Sequence, residues 1–230
     1  MGLDRFSMGE AIRFGWDTMK NNIGFFIGLL IVAFLIENLP GILSNVVASD
    51  LPIIAAVLSF AGAILGLVVQ MGLIKVSLKF CDGVKGTFDD LLSSFDLLLK
   101  FIIGGILYFL IVLGGTILLI VPGIIWGIKF SLFPYFIVDD NLGPVEAIKA
   151  SGNATDGAKW DLFLFGLLLG LINVAGALVF FIGLFATIPA SMVAYAYVYR
   201  NLSGKGRGMT GDADKSQAGP VGAMYINMEA

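Results

Sequence analysis

The positions of the fourteen lysine and arginine residues constrain this chain more than any other feature. None of them lies within 21–74, 101–128 or 160–199, and Lys129 is the one basic residue inside a long apolar block. If each block crosses a bilayer and returns, all the basic clusters lie on one face. Basic residues of membrane proteins concentrate on the cytoplasmic side. The sequence therefore predicts a multi-pass protein of the cell inner membrane with cytoplasmic N- and C-termini.

The composition agrees with this prediction and excludes several functions. The 230 residues are 58% hydrophobic and 13% charged, against ~25% charged residues in an average soluble domain. A net charge of −3 argues against a nucleic-acid partner. The chain has no histidine, the commonest metal ligand and general base. We therefore expect no enzyme activity, no catalytic residues, no cofactor and no metal site.

The length of the apolar blocks predicts that each folds back on itself. Residues 101–138 would form a helix of ~57 Å, whereas the hydrocarbon core is ~30 Å thick. The pair Pro122 and Gly123 is the expected turn. A polar break that contains Glu37 and Pro40 divides the first block. Six spans are predicted near 23–39, 53–75, 101–121, 123–138, 162–182 and 184–200.

Three acidic residues mark helix starts ahead of the three hairpins. Glu10 and Asp90 complete capping-box patterns, and Glu146 follows a proline at the first helical position. We interpret them as three degenerate repeats near 7–80, 87–138 and 143–202, each a cytoplasmic interfacial helix before a membrane hairpin; an accidental match is the alternative. The predicted fold is an all-α polytopic membrane helical bundle.

The segments before the hairpins differ in character. The first two, beginning near Met8 and Phe88, have apolar residues at spacings of three and four, as amphipathic helices do. Such helices lie in the headgroup plane or fold under the bundle. The third, from Ser151 to Gly157, is small and polar, which favours close packing. Residues 1–202 are thus a predicted membrane domain, and 203–230 a flexible cytoplasmic tail.

Two features suggest contacts beyond the fold. The first is Lys129, a candidate contact to a lipid or an anion, with Gln70 and Asn173 as polar neighbours. Alternatively its ammonium reaches the cytoplasmic interface beside Asp139 or Asp140. The second is the set of glycines at four-residue spacing, which let helices approach closely. Such close approach occurs in packing within one chain, in a homo-oligomer or at an interface with a membrane-protein partner. The spacing of the glycines does not distinguish between these three alternatives.

Residues from about 101 to 202 carry motifs that resemble a known family. The motifs are Val121-Pro122-Gly123-Ile124, Asp139-Asp140, Gly143-Pro144-Val145-Glu146-Ala147-Ile148, Ser151, Gly157, Trp160, Pro189 and Tyr199-Arg200-Asn201-Leu202. They are similar to the integral-membrane family that includes the membrane domain of glycerophosphoryl diester phosphodiesterases and its stand-alone, largely uncharacterised relatives. The resemblance implies a membrane domain and no catalysis, because the phosphodiesterase activity belongs to a separate soluble domain.

These observations lead to two hypotheses about function. The first is a non-catalytic membrane protein that organises or stabilises lipids or membrane-protein partners, including an accessory subunit of a larger complex. The second is a small transporter or channel for an anionic or lipid-like solute, with Lys129 lining the path. Membrane lipids are partners in both cases.

Overall fold

The computed structural model of the chain describes residues 6–179 and 181–206, which are helical and include no strand. Two short 3-10 turns, Phe88–Leu91 and Phe95–Leu97, precede the fourth helix. The α-helices of the described residues are α1 (Met8–Asn21), α2 (Ile23–Val47), α3 (Pro52–Cys81), α4 (Leu98–Leu118), α5 (Ile120–Lys129), α6 (Phe133–Asp140), α7 (Pro144–Ala154), α8 (Lys159–Leu178) and α9 (Leu184–Leu202).

Five helical segments of the described residues are long and apolar enough to cross a membrane, as expected of a multi-pass membrane protein. They are Ile23–Val47, Pro52–Cys81, Phe88–Leu118, Ile120–Asp140 and Lys159–Leu178. The predicted sixth span, 184–200, is helix α9, which is not among them. Arg200 and Asn201 lower the apolar character of α9, ten of whose residues are buried against other helices.

Helix α9 is the centre of the bundle. Ten of its residues are buried, and α1, α2, α3 and α8 all pack against it. The closest approach is between Gly15 of α1 and Ala190, where an added Cβ would lie 2.2 Å from the Ala190 carbonyl oxygen. Small residues at this crossing therefore bring the two backbones into contact, as in other membrane helix pairs.

Helix α2 is longer than predicted. The polar break around Glu37 and Pro40 does not end it, and α2 continues to Val47 with Pro40 inside it. Proline normally interrupts a helix, but here α3 supports the second half of α2. The Ser44 hydroxyl donates to the Ala55 carbonyl over 2.8 Å, and Gly62 leaves room for the Pro40 ring. The prediction that the first span ends near residue 39 was wrong.

The turn between α4 and α5 lies at Leu119 and not at Pro122-Gly123. Leu119 is extended, and both predicted turn residues belong to the first turn of α5. Proline is tolerated there because the first N–H groups of a helix have no partner within it. Gly123 has a different role, since an added Cβ would lie 2.1 Å from the Thr116 hydroxyl of α4. It allows α4 and α5 to touch.

The predicted span 123–138 is also interrupted. Residues 130–132 form a turn between α5 and α6, so α5 alone is ~15 Å long, about half of the hydrocarbon core. The Leu132 N–H donates to the Ser151 hydroxyl over 3.1 Å. The turn therefore satisfies its polar groups with α7.

The second predicted amphipathic helix is absent from the described residues and is replaced by the two 3-10 turns. Asp90 accepts hydrogen bonds from Thr87 and from Lys79 of α3, the latter at 2.7 Å. The adjacent Leu91 backbone packs against Gly72 of α3. A Cβ added to Gly72 would lie 2.3 Å from Leu91 Cα. These contacts hold the segment on α3, and this tertiary packing overrides its helical periodicity.

Candidate functional site

The end of α5 is attached to α7 by two buried hydroxyls. Ser151 donates to the Lys129 carbonyl over 3.1 Å, and Thr155 donates to the same oxygen over 2.9 Å. Both side chains are fully buried. The last carbonyl groups of a helix lack partners within it, so these bonds satisfy one of them. They also place α5 beside the start of α8, which follows α7 after a short loop.

A groove of about 1120 Å³ runs between α5 and the start of α8. Its apolar side consists of one face of α5, with residues at spacings of three and four that are exposed or half-buried. Phe163 of α8 continues this surface. The residues of the α5 face are Val121, Ile124, Ile125 and Ile128. The opposite face of α5 carries the Gly123 contact with α4, so packing inside the protein leaves the isoleucine face uncovered.

Charged residues lie at one end of the groove, around the loop between α7 and α8. Lys159 forms an ion pair of 3.0 Å with Asp156, and Asp161 lies with Lys159 in the first turn of α8. Gly157 has a φ of +79°, which glycine adopts without strain and which turns the chain into α8. Trp160 is 74% exposed, as expected of an aromatic ring at the membrane interface. The groove thus combines a long apolar side with charged residues of both signs at one end, its mouth.

The three candidate contact residues lie in different places. The Lys129 ammonium is 5.4 Å from the centre of the Phe130 ring, and its stem lies against Gly152. Gln70 is exposed in a groove between α2 and α3. Asn173 links α8 to α9 by donating to the Ser191 hydroxyl over 3.0 Å. They do not form one site.

Asp139 and Asp140, the proposed neighbours of Lys129, pair with other cations. Arg200, which is 6% exposed, donates to Asp139 and to Asp82, each over 2.6 Å. Lys205 bonds to both Asp139 and Asp140. This network joins the ends of α3, α6 and α9. Burial by itself lowers the pKa of Lys205, but its bonds to the two carboxylates raise that pKa above the ordinary value.

The helix-start residues have structural positions. The Ser7 hydroxyl caps α1 by accepting from the Glu10 N–H over 3.3 Å. Asp90 forms its capping box with Thr87. Glu146 lies in the first turn of α7, beside Gly143. Within 6–179 and 181–206, no group of three or more histidine, cysteine, aspartate or glutamate side chains converges in a way that could hold a metal ion.

Sequence reasoning missed two members of the charged network and the groove itself. Asp82 and Lys205 follow apolar segments as ordinary helix-end charges, and Asp82 is 118 residues from its partner Arg200. The groove had a weaker signal. The apolar residues of α5 recur at one helical face, but the sequence does not tell whether protein or lipid covers that face.

Comparisons with known proteins lead to uncharacterised relatives. Residues 98–206, from α4 to the end of the charged network, match the profile of a family described as a protein of unknown function (DUF975). The chain is 26% identical over 226 residues to an uncharacterized protein of Mycobacterium bovis and to uncharacterized proteins of Mycobacterium tuberculosis. Each alignment covers 86% of this chain and 69% of the relative. No solved structure matches.

Proposed function

We propose that this protein is a non-catalytic integral membrane protein that binds and organises lipids, and thereby stabilises membrane-protein partners. The groove between α5 and α8 is the observation that carries the proposal. Its isoleucine face is suited to an acyl chain, because apolar surface is favourable only against hydrocarbon or protein. Lys159, Asp161 and Trp160 at its mouth offer charges of both signs and an interfacial ring to a zwitterionic headgroup.

The proposed topology has six spans in three hairpins, with the preceding segments and both termini on the cytoplasmic side of the inner membrane. Three contacts support it, namely those of α2 with α3, α4 with α5, and α8 with α9. The absence of lysine and arginine from 21–74, 101–128 and 160–199 supports the orientation. In this topology α9 crosses the membrane inside the bundle, where its polar groups meet protein. Three internal repeats remain part of the proposal.

We also propose a distant relationship to the membrane domain of glycerophosphoryl diester phosphodiesterases. The shared sequence motifs motivate it. Three residues of those motifs, Asp139, Tyr199 and Arg200, lie in contact in the described structure. The Tyr199 hydroxyl donates to Asp139 over 2.9 Å, beside the Arg200 pair. Phosphodiesterase activity is not part of the proposal, since in that family it belongs to a separate soluble domain.

The lipid proposal is tested by native mass spectrometry of the full chain released from its own membrane. Ile124→Trp should fill the groove, whereas Ile117→Trp places the same ring on α4, outside the residues that line it. We expect a phospholipid to remain bound to the wild type and to Ile117→Trp, and to be lost from Ile124→Trp. Equal retention by all three proteins would contradict lipid binding in this groove.

A second assay addresses the absence of catalysis. The purified protein should leave phospholipids and phosphodiesters unchanged, with substrate and product followed by mass spectrometry. Turnover that copurifies with the protein through successive columns would overturn the non-catalytic assignment, whatever the result for lipid binding.

The accessory-subunit form of the proposal concerns residues 203–230, of which only 203–206 lie within the described structure. If the tail attaches the protein to a larger complex, its deletion should release the protein from that complex. Blue-native electrophoresis of the membrane extract measures this. An unchanged particle mass after the deletion would contradict a role of the tail in attachment.

The transporter hypothesis remains a prediction. Its residue, Lys129, is not among those that line the groove between α5 and α8. Replacement of Lys129 by methionine should abolish a solute flux if the ammonium lines the path. Unchanged flux in proteoliposomes would reject this role.

A further inference from the structure

Glu37 is an acidic residue within a candidate membrane span. It lies ~21 Å along α2 from Ile23 and ~15 Å before Val47, because α2 continues through the predicted break. The side chain is exposed. Ionisable residues at such depth are costly and normally face protein, water or an opposite charge. The Glu37 carboxylate therefore requires a polar partner or an opposite charge, which α2 itself does not supply.

The described part of the chain leaves the Glu37 carboxylate without a partner, since its residues form no hydrogen bond or ion pair with it. On α3 the Glu37 side chain faces Gly66, whose missing Cβ would lie 4.0 Å from Glu37 Cγ. On the other side lie apolar residues at the start of α9, among them Phe185 and Ile188. These neighbours do not compensate a negative charge.

A groove of about 540 Å³ opens beside Glu37 along α3. The α3 residues that line it recur at spacings of three and four over ~21 Å, which is the stripe that a second helix would contact. They are Ser59, Gly62, Ala63, Gly66, Gln70 and Leu73. Small residues in the middle of the stripe would allow a close approach between helix backbones. The Gln70 amide offers hydrogen bonds toward one end, and the Ser59 hydroxyl, which already bonds to Ser44 over 2.7 Å, can accept one more toward the other.

A second copy of this chain does not bring a cation to Glu37 when both copies have the same orientation in the membrane. No lysine or arginine lies within 21–74, 101–128 or 160–199. The one basic residue inside an apolar block, Lys129, has its stem against Gly152 and its ammonium 5.4 Å from the centre of the Phe130 ring, both within its own copy. The compensating charge must come from another molecule. The extended, open shape of the groove favours a helix over a small enclosed cation.

We propose that the groove along α2 and α3 is a docking surface for a transmembrane helix of a partner protein, and that a lysine or arginine of this helix pairs with Glu37. The partner helix lies along the stripe from Ser59 to Leu73, and its basic residue is at the depth of Glu37. This inference uses a different face from the lipid groove and does not depend on it.

The test uses the full chain in liposomes and a synthetic transmembrane peptide of leucine and alanine with one lysine at the depth of Glu37. A matched peptide carries methionine there, and fluorescence energy transfer measures binding of each to the labelled protein. We expect the lysine peptide to bind at least ~10-fold more tightly than the methionine peptide. In Glu37→Gln this preference should vanish, whereas Asp50→Asn, beyond the end of α2, should retain it.

A second variant distinguishes the contribution of the groove to peptide binding from that of the Glu37 charge. Ala63→Phe leaves Glu37 in place and fills the stripe, so it should weaken binding of both peptides. Equal binding of the two peptides to the wild type, or a lysine preference that persists in Glu37→Gln, would overturn the proposal. Two other outcomes would also overturn it: self-association that depends on Glu37 without peptide, and binding of a tetraalkylammonium ion at Glu37 in place of the peptide.

Discussion

Helices α5 and α9 share two local features and have opposite environments. Each follows a short turn and has a proline in its first half, Pro122 or Pro189. Yet ten residues of α9 are buried, whereas in α5 only Gly123 is buried. The difference lies in which faces carry small residues. Alanines on α9 admit α1, but the two glycines of α5, Gly123 and Gly127, face α4 and leave bulky isoleucines uncovered.

The comparison separates a structural part of the molecule from a part that is free to bind. Two polar side chains of α9, Arg200 and Ser191, bond to other elements of the protein, whereas the buried Thr187 hydroxyl has no hydrogen-bond partner among the described residues. The α5 side chains form one wall of an open groove. Substitutions in α9 should therefore affect folding, and matched substitutions in α5 should affect binding.

The largest effect is expected for Arg200→Met. Loss of one partner from a buried ion pair costs about 3 kcal/mol, because the remaining charge is left uncompensated. Here Asp82 would lose its Arg200 partner, and Asp139 would keep Lys205 and the Tyr199 hydroxyl. The matched variant is Lys129→Met at the end of α5, which should change stability by less than about 0.5 kcal/mol. Reversible unfolding in mixed micelles measures both. Equal losses would show that the two helices do not differ as described.

Glycine substitutions at the contacts of α1 with α9 and of α4 with α5 should have the next largest effects on stability. Gly15→Ala forces a methyl group against the Ala190 carbonyl of α9, and overpacking of this kind costs ~1–3 kcal/mol. Gly123→Ala on α5 should cost less, because the backbone atoms closest to the added Cβ, Thr116 N and Cα, lie at 2.9 Å, against 2.2 Å for the Ala190 oxygen. The Thr116 hydroxyl, at 2.1 Å, can rotate away. Gly24→Ala, with open space around it, is the control. Thermal unfolding measures the three variants. A larger loss of stability in Gly123→Ala than in Gly15→Ala would contradict our conclusion that the contact of α1 with α9 is the tighter one.

The smallest of these effects is expected at Ser151 of α7, which bonds to the turn between α5 and α6. Ser151→Ala removes the acceptor of the Leu132 N–H and one donor to the Lys129 carbonyl, at a cost of ~1 kcal/mol. Ser203→Ala, a residue whose hydroxyl bonds only locally to the Arg200 carbonyl, serves as the control. Hydrogen exchange should increase at Leu132 in Ser151→Ala. Unchanged exchange there would mean that the hydroxyl does not hold the turn between α5 and α6.

The sequence predicted the helical membrane class because the apolar blocks and the basic residues carry that information locally. It failed where distant contacts decide. Pro122 is a good turn residue in isolation but fits the first turn of α5, and the segment after Thr87 has a helical period but is held on α3 by the pair of Lys79 with Asp90. The groove was not predictable, because Ser151 and Thr155 place α5 beside α8.

The most direct test of the account is photocrosslinking with a diazirine phospholipid in nanodiscs, followed by peptide mapping. Lipid in the annulus around a protein labels all exposed apolar faces alike. We predict that labelling concentrates on residues 121–128 and 159–163, and that excess unlabelled phospholipid suppresses it there first. Labelling spread evenly over α2, α4 and α5, with no site suppressed before the others, would contradict the claim that this protein binds a lipid between α5 and α8.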